Sequence, residues 1–511
     1  MKQEQISVWN YEFNEIKNYL LKYLPELKME HIGFTAIPAP YTKEVIDILL
    51  ILPNINELPF VNDVLAMLEY DFVGETDIQG LYETKHRTAI LPPHQLWIGI
   101  ESYPGRILPG MIVHHLSENA EKYELFKKIK NDIKQKKDFF KEFAASFFAK
   151  QIVKPDFNNS LINLSSSIAH FFGVKNNYSS LPVVDEWIKD CKHVILLVLD
   201  GMGSAILDNH LSAGTFLREH QVHTMTSIFP PTTAAATTAL ISGLLPGESG
   251  WVGWQQYFHE VKQHLILFRN ENYYTGTVLE EPIVQQKLNY QPIYKLIKDG
   301  KGYELFPSFR ENGYDTFEKM KKAIQDLIHL DEKNYIYAYW HEPDFLLHEY
   351  GVSDQKIKDN LLDLNDQIEQ LALQCPEDTC LIVTADHGLI DIDTVELTKF
   401  PSLFHELIRL PSIEGRCASF AVKNKENFKT EFLRYFKNHF LLFDRESFLN
   451  SGLLGNQTNK AEEFIDDFIA IATNRFYLTA KTDGNFFRAA HAGMTKEEML
   501  VPLILYRKGK E

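Results

Sequence analysis

At 511 residues, 45% of them apolar and 24% charged, the sequence has the make-up of a soluble globular protein long enough for two or three domains. Its formal charge of −17 disfavours a generic nucleic-acid backbone binder, which depends on clustered Lys and Arg. A small phosphate ester remains open as a ligand wherever metal cations supply the local positive charge.

The amino terminus, MKQEQISVWNYEFNEIKNYLL, is charged and amphipathic and lacks the apolar core and cleavage site of a signal peptide. No stretch approaches the ~18 uncharged apolar residues that span a bilayer, so a cytoplasmic protein without a membrane partner is expected. Residues 1–155 read as mixed α/β: a helical opening, an apolar strand at 45–52, further strands, and a helical stretch at 120–153. The Lys-rich run 127–141 within that stretch reads as the solvated face of a helix. Lys154-Pro155-Asp156-Phe157-Asn158-Asn159-Ser160 is a junction by composition, and residues 156–511 form the second expected domain. There, apolar strand-like runs at 193–199, 335–339, 380–384 and 501–506 alternate with helical patterns, as in a largely parallel sheet covered on both faces. Cys191, Cys375, Cys380 and Cys417 contain no CxxC pair, which speaks against a disulfide scaffold or a thiolate zinc site.

Five segments of the second domain carry candidate chemistry. HVILLVLDGMG is a buried strand ending in Asp200-Gly201; ligands bind beyond the carboxyl ends of such strands, although Asp-Gly is equally ordinary turn chemistry. In SIFPPTTAAATTALISGLLPGESGW, prolines stop a strand and Thr233 opens an Ala-rich helix that ends before Gly243. A hydroxyl there sits among unpaired N–H groups that favour an anionic phosphate, while Thr232 or Thr233 acting as a plain helix cap is the alternative. In YAYWHEPDFLLHEYG, Asp344 and His348 are four apart and share a helix face, with His341 in the turn that leads in. CLIVTADHGLID ends a strand in Asp386-His387, and FFRAAHAGMTKEEMLVPLILY places His491 in a loop before the final strand. Asp and His donors suit zinc, or manganese or iron, better than calcium or magnesium.

These motifs, in this order and spacing, resemble the type I phosphodiesterase/nucleotide pyrophosphatase branch of the alkaline phosphatase superfamily across residues 158–511. The resemblance implies an alkaline-phosphatase-like α/β sandwich with two divalent ions. Asp344, His348 and His491 would hold one ion; Asp200, Asp386 and His387 would hold the other, together with Thr233. It implies hydrolysis of a phosphodiester or pyrophosphate, of a nucleotide among other small esters, through a phosphothreonine at Thr233. Two positions depart from the family: Ala236 stands where many members carry Asn, and Ser249 replaces the His of a PxxHG segment. A phosphomonoesterase or phosphonate hydrolase with the same site is therefore the alternative, and a nucleotide-binding sensor with weak activity is a third reading. Trp251, Trp254 and Tyr257 are candidates to stack on a base or leaving group, with packing as the competing use.

Residues 5–153 resemble the GrpB-like family, an α+β nucleotidyltransferase-type fold, through HIGFTAIPAPYTKEVIDILLIL and ENAEKYELFKKIKNDI. Phe34 replaces the family's Ser, and Asp47 has Leu49 where a second carboxylate would stand. Lys43 and Asp47 are expected to bind a nucleotide or phosphate without independent catalysis.

Overall fold

The apolar run His193–Leu199 forms a strand with every residue buried, as a strand covered on both faces requires. It is the centre of the sheet that organises the larger part of the chain. The computed structural model describes residues 2–33, 36, 45–87, 91–103, 106, 152–481, 484 and 487–510. Lys43, Phe34 and nearly all of the helical stretch expected at 120–153, with its Lys-rich run, lie outside the described residues.

The chain divides into two compact units. The first comprises Met1–Lys150 together with Val395–Ile408 and Val422–Leu441; the second holds Gln151–Thr394, Arg409–Ala421 and Leu442–Glu511. In the first unit the strands β1 (Lys28–Ile32), β2 (Ile46–Leu52), β3 (Tyr70–Glu75), β4 (Leu81–His86) and β5 (His94–Ile100) form a sheet in the order β1-β2-β5-β4-β3. Only β2 and β5 run parallel. The helix Lys425–Phe436 belongs to this unit: its Tyr435 carbonyl accepts from the Tyr82 hydroxyl at 2.9 Å. The Arg434 guanidinium lies 4.7 Å from the Phe72 ring centroid and donates to the Phe72 carbonyl at 2.6 Å.

In the second unit, β6 (His193–Leu199), β7 (Gln221–Thr226), β8 (Lys301–Leu305), β9 (Asn334–Trp340), β10 (Thr379–Thr384) and β11 (Leu500–Tyr506) form a six-stranded sheet in the order β8-β9-β6-β10-β11-β7. β8, β9, β6 and β10 are mutually parallel, and β11 is antiparallel to both of its neighbours, so only β11 is reversed. A continuous apolar core unites strand side chains with flanking helices. The helix Gln355–Gln374 contributes Ile357, Leu361, Leu364, Ile368 and Leu371, the spacing of one helical face. A second sheet, absent from the sequence reading, joins Gln255–Phe258, Gln263–Ile266, Ser412–Ile413, Cys417–Phe420 and Phe468–Ala472 through antiparallel pairs.

Register places the functional end. Leu199 lies opposite Trp340, and Val198 opposite Thr384, so β9, β6 and β10 finish at one level. Leu500 lies opposite Thr226, so the reversed β11 begins where β7 ends. The segments that follow β6, β7, β9 and β10 therefore emerge at the same edge as the segment that precedes β11. Each carries one of the five motifs.

The four cysteines are buried and unpaired by disulfides. Among the described residues, no helix is long and apolar enough to cross a membrane.

Candidate active site

Asp200 follows the last residue of β6, and its backbone stitches two loops: its N–H donates to the Trp340 carbonyl and its carbonyl accepts from Asp344 N–H, both at 2.9 Å. Gly201 has φ +75, and a Cβ there would stand 2.8 Å from Asp344 Cβ, so only glycine admits this approach. Its N–H donates to Asp386 Oδ1 at 3.1 Å. The Asp386 carbonyl in turn accepts from Ser227 Oγ at 2.6 Å, tying the segment that leads to Thr233 into the same frame.

Thr233 is the first residue of the helix Thr233–Ser242, which closes at Gly243 in the left-handed conformation. Neither threonine at this helix start acts as a cap. Thr232 occupies the N-cap position, yet its hydroxyl donates to Glu414 Oε1 at 2.6 Å. Thr233 Oγ1 lies 3.4 Å from Asp200 Oδ2 and 3.2 Å from His387 Nε2. The plain-cap alternative therefore has no hydrogen bond to support it.

Two sets of donor atoms converge, each with its members within 4.8 Å of one another: Asp344, His348 and His491, and Asp200, Asp344 and His387. Asp344 belongs to both. Asp386 adjoins the second set, with Oδ2 3.5 Å from His387 Nε2. All three histidines place Nδ1 against a main-chain carbonyl: His348 on Ala489 at 2.7 Å, His387 on Gly388 at 3.2 Å and His491 on Pro231 at 3.2 Å. A carbonyl only accepts, so Nδ1 carries the proton and the neutral ring keeps a bare Nε2, the form in which imidazole binds a metal. The carboxylates agree. Asp200 Oδ1, Asp344 Oδ1 and Asp386 Oδ2 are buried and take no hydrogen bond among the described residues, an arrangement costing about 1–3 kcal/mol per group unless a cation satisfies it. The donor set fits divalent metal ions.

Charge crowding points the same way. Burial, then the Asp386 and Asp344 carboxylates, push the Asp200 carboxyl well above its ordinary range; burial foremost also raises Asp386. Burial and the neighbouring His387 and His348 hold His491 well below the usual histidine value. The Tyr339 hydroxyl, kept protonated by burial and by Asp200, donates to Asp200 Oδ2. Sequence reading missed Tyr339, whose place in an apolar strand looks like core. It also missed the brace beneath His491: Glu498 accepts from Gly493 N–H at 2.7 Å and from Arg416 Nε at 2.6 Å, with both charged side chains fully buried.

The remaining candidates separate. His341 joins neither donor set; its ring lies among Trp340, Phe309 and Phe345. Trp251 is core, its indole N–H on the Leu288 carbonyl at 2.8 Å and its ring against Phe268 and Tyr290. Tyr257 stacks under Arg409, whose guanidinium is 4.0 Å from the ring centroid. Trp254 lines a cavity, and its N–H donates to Glu414 Oε1 at 2.7 Å. In the first unit, Asp47 is buried, opposite Gln95 in register, and accepts from the Trp97 indole at 3.3 Å.

Residues 194–494 match the Type I phosphodiesterase / nucleotide pyrophosphatase family, and residues 3–148 match the GrpB protein family. No curated protein sequence matches the chain. Among solved structures, murine ectonucleotide pyrophosphatase/phosphodiesterase 5 is similar at 16% identity and TM-score 0.46, covering 61% of this chain and 87% of that one. An inactive variant of the same murine protein, in complex with AMP, gives the same values. The human counterpart is similar at 15% identity and TM-score 0.48, with the same coverage. The chain belongs to the type I phosphodiesterase/nucleotide pyrophosphatase family, metal-dependent hydrolases of phosphoester or pyrophosphate bonds, and carries a GrpB domain at its amino-terminal end.

Proposed function

We propose that the chain hydrolyses a phosphodiester or pyrophosphate through a phosphothreonine at Thr233. The observation that carries this reading is the Thr233 hydroxyl, 3.2 Å from a bare His387 Nε2 and 3.4 Å from Asp200 rather than on its own helix. Asp344, His348 and His491 would hold one divalent ion; Asp200, Asp386 and His387 would hold the other, with Asp344 beside both. Zinc suits these nitrogen and oxygen donors best, with manganese or iron next. When bound, the ions supply the positive charge that favours ionisation of the hydroxyl and departure of the leaving oxygen.

The chain's own groups do the rest. Thr233 Oγ1 attacks phosphorus, its proton passes to solvent, and the bond from phosphorus to the leaving oxygen breaks in line, that oxygen departing with the electron pair and taking up a proton from solvent. Non-bridging oxygens face the helix start, where the N–H groups of the first turn lack intrahelical partners and the dipole favours an anion. This backbone donor set stands in for the side chain missing at Ala236. Water then displaces Thr233 from the phosphothreonine and releases the remaining ester. With no Asn at 236, a monoester or phosphonate is the second reading, separated by comparing bis-p-nitrophenyl phosphate with p-nitrophenyl phosphate.

Thr233→Ala is expected to lower turnover by at least about a thousandfold while bound metal stays unchanged. Near-normal hydrolysis by that variant would overturn the assignment. For the GrpB domain we propose a ligand-binding or scaffolding role, because Asp47 has Leu49 in place of a second carboxylate and is already engaged by Trp97.

A further inference from the structure

One cavity of the second unit is not accounted for by the chemistry above. It is lined by Trp254, Tyr273, Tyr274, Tyr477, Lys481 and the half-buried Glu414, among others. Glu414 Oε1 accepts from both Thr232 Oγ1 at 2.6 Å and Trp254 N–H at 2.7 Å. Its Oε2 takes no hydrogen bond among the described residues, and no basic side chain there pairs with it. This half-buried carboxylate has aromatic side chains beside it in the cavity lining and, among the described residues, no cationic partner.

We propose that this cavity receives a primary ammonium group carried by one ester substituent of the substrate, with Glu414 as the specificity-determining residue. The inference rests on the phosphodiesterase reading above. An ammonium is the complement of this lining: it donates to a carboxylate oxygen and is attracted to aromatic faces. The wall already holds one alkylammonium, since Lys481 Nζ lies 3.8 Å from the Tyr273 ring centroid. Size favours a small head group. The cavity measures about 30 Å³, and a single water needs about 10–15 Å³ by this measure, so an NH₃⁺ with its methylene fits.

Position ties the cavity to the reaction. Thr232, held by Glu414, directly precedes Thr233. Beyond the lining, the Tyr477 ring is 6.3 Å from that of Phe487, whose ring is 4.3 Å from that of His348. An ammonium beside Glu414 is thereby linked to the nucleophile through Thr232, the residue directly before it. Nothing in the sequence announces this, because Glu414 follows a two-residue strand and belongs to no motif.

The test compares kcat/KM of the zinc-supplemented full chain on three p-nitrophenyl diesters carrying a 2-aminoethyl, 2-hydroxyethyl or ethyl group. The aminoethyl ester is expected to exceed the isosteric hydroxyethyl ester by at least about tenfold, as a charge-assisted hydrogen bond provides. Glu414→Gln should bring that ratio close to one. Tyr274→Leu, which leaves the Glu414–Thr232 bond alone, should lower it by about threefold. A wild-type ratio at or below one, with the esters hydrolysed, overturns the subsite and leaves the phosphodiesterase reading intact. An unchanged ratio in Glu414→Gln also overturns the assignment. Failure to cleave any of the three overturns the phosphodiesterase reading, and this inference with it.

Discussion

Each unit contains a buried aspartate in a strand or directly after one, Asp47 and Asp200, and they treat it in opposite ways. Asp47 in the first unit sits opposite Gln95, accepts from Trp97 and lies against Gly33, where a Cβ would come within 2.5 Å of its Oδ2. The second unit brings Asp200, Asp344 and Asp386 together and leaves one oxygen of each without a hydrogen bond among the described residues. One arrangement has been completed by protein groups; the other keeps oxygens that fit cations. The lesson is that a buried carboxylate marks a metal site by what it lacks, not by its burial alone.

The largest test of that contrast is substitution at both places. Asp200→Ala or His387→Ala is expected to reduce diester hydrolysis by at least about a thousandfold and to lower bound metal, measured by elemental analysis. Asp47→Ala should change kcat/KM by less than about twofold. Equal losses at Asp47 and Asp200 would erase the distinction between the units.

A second comparison concerns two fully buried glutamates and the groups that meet them. Glu498 in the second unit takes Arg416 Nε at 2.6 Å and Nη2 at 2.7 Å, along with Gly493 N–H and the Thr495 hydroxyl, each at 2.7 Å. Glu75 in the first unit meets His439 at 2.8 Å and accepts from Gly80 N–H at 2.9 Å and Asn438 N–H at 3.1 Å. Glu498→Ala strands a buried guanidinium and is expected to cost about 3–5 kcal/mol in chemical denaturation. Glu75→Gln keeps an acceptor and should cost about 1–3 kcal/mol. Reversal of that order would show that the first unit depends more on its pair than the second does on the brace below His491.

What the sequence makes legible follows from burial on both faces. His193–Leu199 and Thr379–Thr384 are buried throughout and read as uninterrupted apolar runs, each closed by an acid. Asp344 and His348 follow from helical spacing alone, as the helix Asp344–Tyr350 bears out. The antiparallel sheet escapes because Gln255–Phe258 is half polar and Ser412–Ile413 is too short to show a period. The helix Lys425–Phe436 buries Phe428, Phe432, Tyr435 and Phe436, a periodic stripe that announces amphipathicity but not its partner. Its grouping with β3 and β4 depends on long-range contacts such as that of Tyr82 with Tyr435, which no local pattern encodes. Glu414 is hidden for the same reason: its meaning comes from Thr232 and Trp254, which stand 182 and 160 positions away.

The smallest effect is the most discriminating for Glu414. Burial raises its carboxyl to about 7, partly offset by hydrogen bonds from Thr232 and Trp254 and by His387, and reinforced by Asp344. Tyr477 and Cys417, which also feel its charge, are held protonated well above their ordinary values. From about pH 6 to about pH 8 the carboxyl passes from mostly neutral to mostly ionised, an increase of roughly tenfold in the form that attracts a cation. The ratio of aminoethyl to hydroxyethyl kcat/KM should rise severalfold over that interval. Any pH dependence of the hydrolytic steps shared by the two esters enters both rates and cancels in the ratio. Binding the ammonium must also favour the ionised carboxyl and release a proton at pH values below about 7, by linkage. In Glu414→Gln nothing at this position titrates, so the ratio should be flat. A slope that survives the substitution would assign the pH dependence to another group.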